Sequence, residues 1–149
     1  MSTSIATVHY GHVEPVTVHF DDLDAMGIVH NARYAVLLER ALSGYWAPRG
    51  FTFTDGRPTS PDVVHAVREF TITYLAPIRG TGPVDVHFWV ERLGGTSAVY
   101  GYRFVTGEVV HAEGRRSIVK LDPATLRPAP WTEAGRAAFE TLTGAPAQR

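Results

Sequence analysis

Asp24-Ala25-Met26-Gly27-Ile28-Val29-His30-Asn31-Ala32-Arg33-Tyr34 is the stretch on which the reading of this chain turns. Before it, Val16, Val18 and Phe20 alternate with Thr17 and His19, the period of a strand with one buried face. After it, Tyr34, Leu37, Leu38, Ala41, Leu42, Tyr45 and Trp46 recur at the three-and-four spacing that lines one side of a helix. Arg33, Val36, Arg40 and Ser43 fall on the other, mostly polar side. Asn31 reads as the N-cap, and Pro48 with Gly50 stops the helix. An acidic turn therefore delivers the chain to a helix N-terminus, where unpaired N–H groups and the positive end of the dipole converge. Such a place suits a carbonyl oxygen that gains negative charge.

An apolar stripe this wide needs a sheet to cover it, and the rest of the chain supplies one. Residues 47–62, rich in Pro, Gly, Thr and Ser, read as a long loop able to form one wall of a pocket. Then the period changes to two. Phe70, Ile72 and Tyr74 alternate with polar residues, as do Val84, Val86, Phe88 and Val90. Ala76 to Pro83 is a connection, because no central strand tolerates its prolines and glycines. Gly94-Gly95 predicts a tight hairpin into Ala98, Tyr100, Tyr102 and Phe104. A last long strand runs over 108–121, with a bulge or a close backbone approach expected at Glu113-Gly114-Arg115-Arg116. Thr132 caps a short helix running to Leu142. Strand, long helix and four successive strands give an α+β arrangement, an antiparallel sheet of about five strands wrapped around one helix. One helix covers one face only, so a homodimer or homotetramer is expected to shield what remains.

At 149 residues the chain fits a single domain, with 1–11 and 143–149 expected to be flexible. It has no cysteine, which removes disulfides, thiolate metal sites and a cysteine nucleophile together and suits a cytoplasmic protein. A formal net charge of −1 lacks the basic footprint of a nucleic-acid binder. No run of apolar residues is long enough to cross a membrane, and Met1 to Gly11 has no charged start followed by an apolar core. His12, His19, His87 and His111 show no metal-ligand spacing, so no metal is expected. Phosphate-loop, dinucleotide and zinc-protease motifs are missing, and Gly95-Thr96-Ser97-Ala98-Val99 lacks the final glycine of a nucleophile elbow.

Five ordered segments resemble the hotdog-fold acyl-CoA thioesterases, specifically the group similar to 4-hydroxybenzoyl-CoA thioesterase. They are residues 20–34, Leu38-Glu39-Arg40-Ala41, Tyr74-Leu75-Ala76-Pro77-Ile78, Ala112-Glu113-Gly114 and Arg127-Pro128-Ala129-Pro130. The resemblance implies a hotdog fold. It also implies that Asp24 carries the chemistry, that the helix N-terminus near His30 and Asn31 polarises the thioester carbonyl, and that Gly27 lets the turn pass close to substrate. Where a hydroxybenzoyl enzyme has aromatic residues before the helix, this chain has His30 and Asn31, which leaves the acyl group open.

The chemistry asked of these residues is modest. A thiol with a pKa of ~8.5 leaves readily as thiolate, so one carboxylate and one N–H donor suffice. The candidate catalytic residues are Asp24, as general base or nucleophile, and Asn31, as oxyanion donor. The candidate substrate contacts are Gly27, His30, Tyr34 and His65. Against these stand plainer readings: Asp24 as a turn aspartate, Asn31 as a cap only, His30 as incidental surface, Tyr34 as core, His65 as a surface imidazole. Asp21 and Asp22 read as solvated turn residues, and Glu39 as half of an ion pair. Coenzyme A or a carrier protein's pantetheine enters as part of the substrate, with no separate cofactor. Its phosphates would need Arg115, Arg116 and Lys120, or Arg68, Arg79 and Arg92. An acyl carrier protein is a candidate partner. A hydratase or dehydratase on the same fold and a non-catalytic acyl-thioester binder are the rival classes.

Overall fold

In a computed structural model that describes residues 9–144, the chain runs β1 (His12–Val18), α1 (Tyr34–Trp46), β2 (Phe53–Thr54), β3 (Arg57–Pro58), β4 (His65–Tyr74), β5 (Gly82–Leu93), β6 (Ser97–Thr106), β7 (Val109–Lys120) and α2 (Glu133–Glu140). The five long strands form one antiparallel sheet in the order β1-β5-β6-β7-β4. The six apolar positions Tyr34, Leu37, Leu38, Ala41, Leu42 and Tyr45 are all buried against the inner face of that sheet. Val16, Val84, Val86, Phe88, Tyr100, Tyr102, Phe104 and Ile118 meet them from the strands. This is the hotdog arrangement, with α1 as the filling.

Several local expectations are corrected. β1 begins at His12 and stops at Val18, because residues 20–22 coil into a short 3-10 turn. Phe20 consequently leaves the buried face and is 83% exposed. The loop 47–62 is not irregular throughout. A 3-10 turn over Ala47–Arg49 ends at Gly50 in the left-handed region, φ 93°, and β2 and β3 then form a small hairpin around Asp55 and Gly56. Glu113 to Arg116 contains no bulge; the close approach is what occurs there. A Cβ on Gly114 would collide with the Thr71 carbonyl oxygen and fall 2.7 Å from the Tyr102 hydroxyl. The irregularities sit elsewhere, in β4 between Val67 and Glu69, in β5 between Val90 and Arg92, and against β7 at Phe104–Val105.

The β4 irregularity decides which residues the strand turns inward. It changes the parity of the strand, so that His65 and Val67 face the same side as Phe70 and Ile72. β4 is also an outer strand, with Val67 and Tyr74 exposed. Of the ends expected to be loose, residues 1–8 and 145–149 lie outside the described residues. Tyr10 and Gly11 are docked: the Tyr10 carbonyl accepts from the His87 ring at 3.1 Å, and its hydroxyl accepts from Arg103 at 3.0 Å. No helix among the described residues is long and apolar enough to cross a membrane.

Candidate active site

Asp22, read from sequence as solvated, is fully buried and anchors the acidic turn. Its carboxylate accepts from the His19 amide at 2.8 Å, from Arg33 Nε at 2.9 Å and from Arg40 at 3.3 Å. Burial alone would raise its pKa, but these hydrogen bonds and the Arg40 charge together hold it below the usual carboxylate range. The Asp22 carbonyl in turn takes the His30 amide at 2.9 Å. Both basic residues from the polar side of α1 are thereby committed to fixing the turn against the helix.

Asp24 sits half-buried two residues on. Its Oδ1 accepts from the amides of Met26, at 2.8 Å, and Ile28, at 3.3 Å, so the side chain folds back over its own turn. Gly27 adopts φ 78°, which closes the turn and puts its carbonyl within 2.9 Å of the Gly80 amide. The connection after β4 therefore holds this turn as well: Ile78 accepts from Val29 at 2.9 Å, and Ile28 bridges to Arg79. The sequence marks that connection through its prolines and glycines but carries no signal for the job it does.

The helix entrance differs from expectation. Asn31 is not the cap: His30 caps a short 3-10 turn that leads into α1, its backbone extended and its Nδ1 accepting from the Ala32 amide at 3.0 Å, while Arg33 is the N-cap of α1 itself and makes no side-chain cap bond. Asn31 opens a 3-10 turn that continues into α1. The His30 amide is taken by Asp22 and the Ala32 amide by His30, while Arg33 donates to the His30 carbonyl at 2.9 Å. Among the described residues, the Asn31 N–H has no hydrogen-bond partner. The Asn31 carbonyl accepts from the Tyr74 hydroxyl at 3.1 Å, which ties the far end of β4 to the helix mouth. Tyr34 lies beneath, buried between Tyr74 and Phe104, and supports the turn from the core instead of facing outward.

His65 is found away from this group. It lies at the rim of a cavity of about 360 Å³ between the middle of α1, the segment after it, the inner face of β7 and β6, and α2. Trp46, Phe51, Phe53, Tyr100 and Phe139 give the cavity aromatic walls, so the loop does supply one side of it. Crowding by the protein, and less strongly the Arg116 charge, push the His65 imidazole below its ordinary pKa against the opposing pull of Asp62 and Glu39. Asp24, Gly27, His30, Asn31 and Tyr34 do not line this cavity. One chain therefore presents two halves, a polar turn at the helix mouth and an aromatic cavity further along.

Two of the basic residues considered for phosphates are unsuited to them. Arg116 is buried against Glu39, and Lys120 is buried with its amine 2.8 Å from Asp62. Arg115 is exposed but already paired with Glu91, whereas Arg68, Arg79 and Arg92 are exposed. No group of three or more potential metal ligands occurs among the described residues.

The sequence model of the thioesterase superfamily matches residues 26–113, which run from Met26, just after Asp24, through α1, β4, β5 and β6 into β7. The chain belongs to the thioesterase superfamily. Among its relatives is the acyl-CoA thioester hydrolase YbgC of Escherichia coli O6:H1, 30% identical over 115 residues, covering 76% of this chain and 84% of the relative. The acyl-CoA thioesterase YbgC of Haemophilus influenzae is 23% identical over 128 residues, 86% of this chain and 93% of the relative. A Thermus thermophilus thioesterase, solved in complex with coenzyme A and zinc, superposes with a TM-score of 0.74 at 27% identity, over 94% of this chain and all of that one. The PA5185 protein of Pseudomonas aeruginosa superposes with a TM-score of 0.79 at 25% identity, over 91% of this chain and 94% of that one. This thioesterase-superfamily chain thus shares its fold and most of its length with relatives named for cleaving acyl-CoA thioesters.

Proposed function

We propose that the protein hydrolyses an acyl thioester of coenzyme A to free acid and thiol, with Asp24 as general base or nucleophile and the Asn31 N–H as oxyanion donor. The observation that carries this reading is the Asn31 amide at the mouth of α1, without a hydrogen-bond partner among the described residues, beside a turn whose aspartate keeps one carboxylate oxygen, Oδ2, outside the Asx bonds made by Oδ1. The relatives' names supply the substrate class. A thioester carbonyl seated at Asn31 would develop its negative charge against that N–H and the helix dipole. Oδ2 then takes a proton from an attacking water, and collapse of the tetrahedral intermediate expels the thiolate without a strong general acid. Attack by the carboxylate itself, through an anhydride that water opens, uses the same two groups. A carrier-protein pantetheine thioester presents the same bond and is the alternative substrate form.

The site is completed, in this reading, by a second copy. Within one chain β4 carries His65 and Val67 at its cavity end and Tyr74 at the helix mouth, about 23 Å from Val67 by strand rise. Antiparallel pairing of two exposed β4 edges about a two-fold axis would set the cavity end of one against the helix mouth of the other. The polar turn of each chain would then face the partner's aromatic cavity.

Thiol release, followed with a thiol reagent over a panel of acyl-CoA and acyl-pantetheine thioesters, tests the reading. Asp24→Asn is expected to lower kcat by about 10²–10⁴-fold with an unchanged melting temperature. A folded Asp24→Asn enzyme at wild-type rate would remove Asp24 from the mechanism. Hydration of an enoyl thioester without thiol release would instead point to a hydratase, and saturable binding without turnover to an acyl-thioester binder.

A further inference from the structure

Among the described residues, the cavity contains one buried side-chain polar atom that the fold leaves without a hydrogen-bond partner. Arg116, on the inner face of β7, has a side chain 6% exposed, and its Nη2 donates to Glu39 Oε1 at 2.6 Å. Its buried Nε–H has no hydrogen-bond partner among the described residues. Proteins rarely bury a donor without an acceptor, and this guanidinium N–H, in the wall of a largely apolar cavity, is an exception. The nearby acceptors serve other donors: the Tyr100 hydroxyl takes the Trp46 indole N–H, and the Asp62 carboxylate takes Lys120 and Thr132.

We infer that this cavity selects the acyl group, and that Arg116, oriented by Glu39, donates its Nε–H to an uncharged oxygen substituent, a hydroxyl or keto group, on that acyl group. The inference rests on the thioesterase reading above and names its substrate class. The apolar walls formed by Trp46, Phe51, Phe139 and Ile118 take the carbon skeleton, which excludes the nucleotide end of coenzyme A from this space. Charge decides between a neutral and an anionic substituent. Glu39 already neutralises Arg116 and Asp62 neutralises Lys120, so a substrate carboxylate would meet the Glu39 carboxylate with no spare cation. A hydroxyl or keto oxygen accepts the Nε–H without that repulsion. A site built to satisfy a buried donor rejects the ligand that lacks the acceptor, because the donor is then left unpaired.

Binding separates this from the catalytic assignment. Non-hydrolysable S-alkyl-CoA thioethers of one chain length, unsubstituted or bearing a hydroxyl or keto oxygen at successive carbons, are titrated calorimetrically into wild type, Arg116→Lys and Arg116→Met. Wild type is expected to bind the oxygenated analogue with the oxygen at one particular carbon about tenfold or more tightly than the unsubstituted one, a hydrogen bond to a charged donor being of that order. Arg116→Met loses the preference and Arg116→Lys keeps a reduced part of it. Should Arg116→Met fail to fold by circular dichroism, Arg116→Lys decides. Affinities within twofold across the whole wild-type series, or a preference intact in a folded Arg116 variant, would overturn the inference. Thiol release by the same wild-type preparation reports on the thioesterase reading independently, so either can fail while the other stands.

Discussion

Asp22 shows at the scale of one residue how much the reading of a turn depends on partners far away in sequence. Between Asp21 and Asp24 it has every local mark of a solvated acid, and the chain gives no nearby cue to the contrary. Its burial is made possible by Arg33 and Arg40, 11 and 18 residues later, whose positions seven apart put both on one flank of α1. The helical period marks that flank as polar without showing its use. Because the pair is buried on one side only, Asp22→Ala lets both arginines turn toward solvent, which limits the cost to about 2 kcal/mol. Urea unfolding at neutral pH is expected to show that loss. The same variant should lower thiol release in the folded state, because the His19, Arg33 and Arg40 bonds that fix the turn bearing Asp24 all end on this carboxylate.

Elements were legible where a period could be read, and less so where a side chain crosses between elements. The stripe from Tyr34 to Tyr45 announced α1, and the alternation in Ala98 to Phe104 announced β6, because each repeats one physical requirement several times over. Arg116, Glu39, Phe51 and Phe139 come from four separate segments, so the cavity they share had no periodic signature; of the sequence candidates, His65 lines it as a proposed substrate contact and Arg116, proposed for phosphates, lines it as half of an ion pair. A tight junction of elements, β4 on β7 at Gly114, was visible as a glycine in a strand but not as a particular contact. Gly114→Ala must push its new methyl into the Thr71 carbonyl, and backbone on both sides has little room to yield. We expect it to lower the unfolding free energy by about 2 kcal/mol or more and to speed hydrogen exchange first in β4. Wild-type exchange in β4 would show that the two strands part without cost.

At the scale of the whole molecule, stability toward acid and assembly both follow from where polar groups were buried. His87 lies beneath Tyr10 and Arg103 on the outer side of the sheet, and burial, followed by the charges of Arg103 and His12, pushes its pKa down to about 4 against the pull of the Tyr10 carbonyl. Folded His87 therefore stays neutral while the unfolded chain takes up a proton below pH ~6.5. The unfolded state binds more protons across that window, so stability is complete above it and falls as pH drops from ~6.5 to about 4. His87→Gln should flatten the melting temperature over that range. Below it the depressed carboxylates Asp22 and Asp62 take over: their contribution is complete above pH ~4 and is lost as acid protonates them in the folded state.

Assembly gives the most demanding test, because a lone chain holds the acidic turn and the aromatic cavity apart while its β4 edge stays unpaired. If two copies must meet for a working site, turnover per chain is a function of protein concentration and not a constant. Wild-type specific activity is expected to fall on dilution in step with dimer dissociation followed by light scattering. Lysines on the free edge, in the double variant Thr73→Lys with Leu75→Lys, place like charges across the two-fold axis and should move that dissociation to higher concentration. The variant should keep its far-ultraviolet circular dichroism and recover thiol release as concentration rises, because neither side chain belongs to the turn or the cavity. Specific activity that stays flat through the monomer range would mean that one chain suffices, and that the acyl group reaches Asn31 by a path within a single sheet.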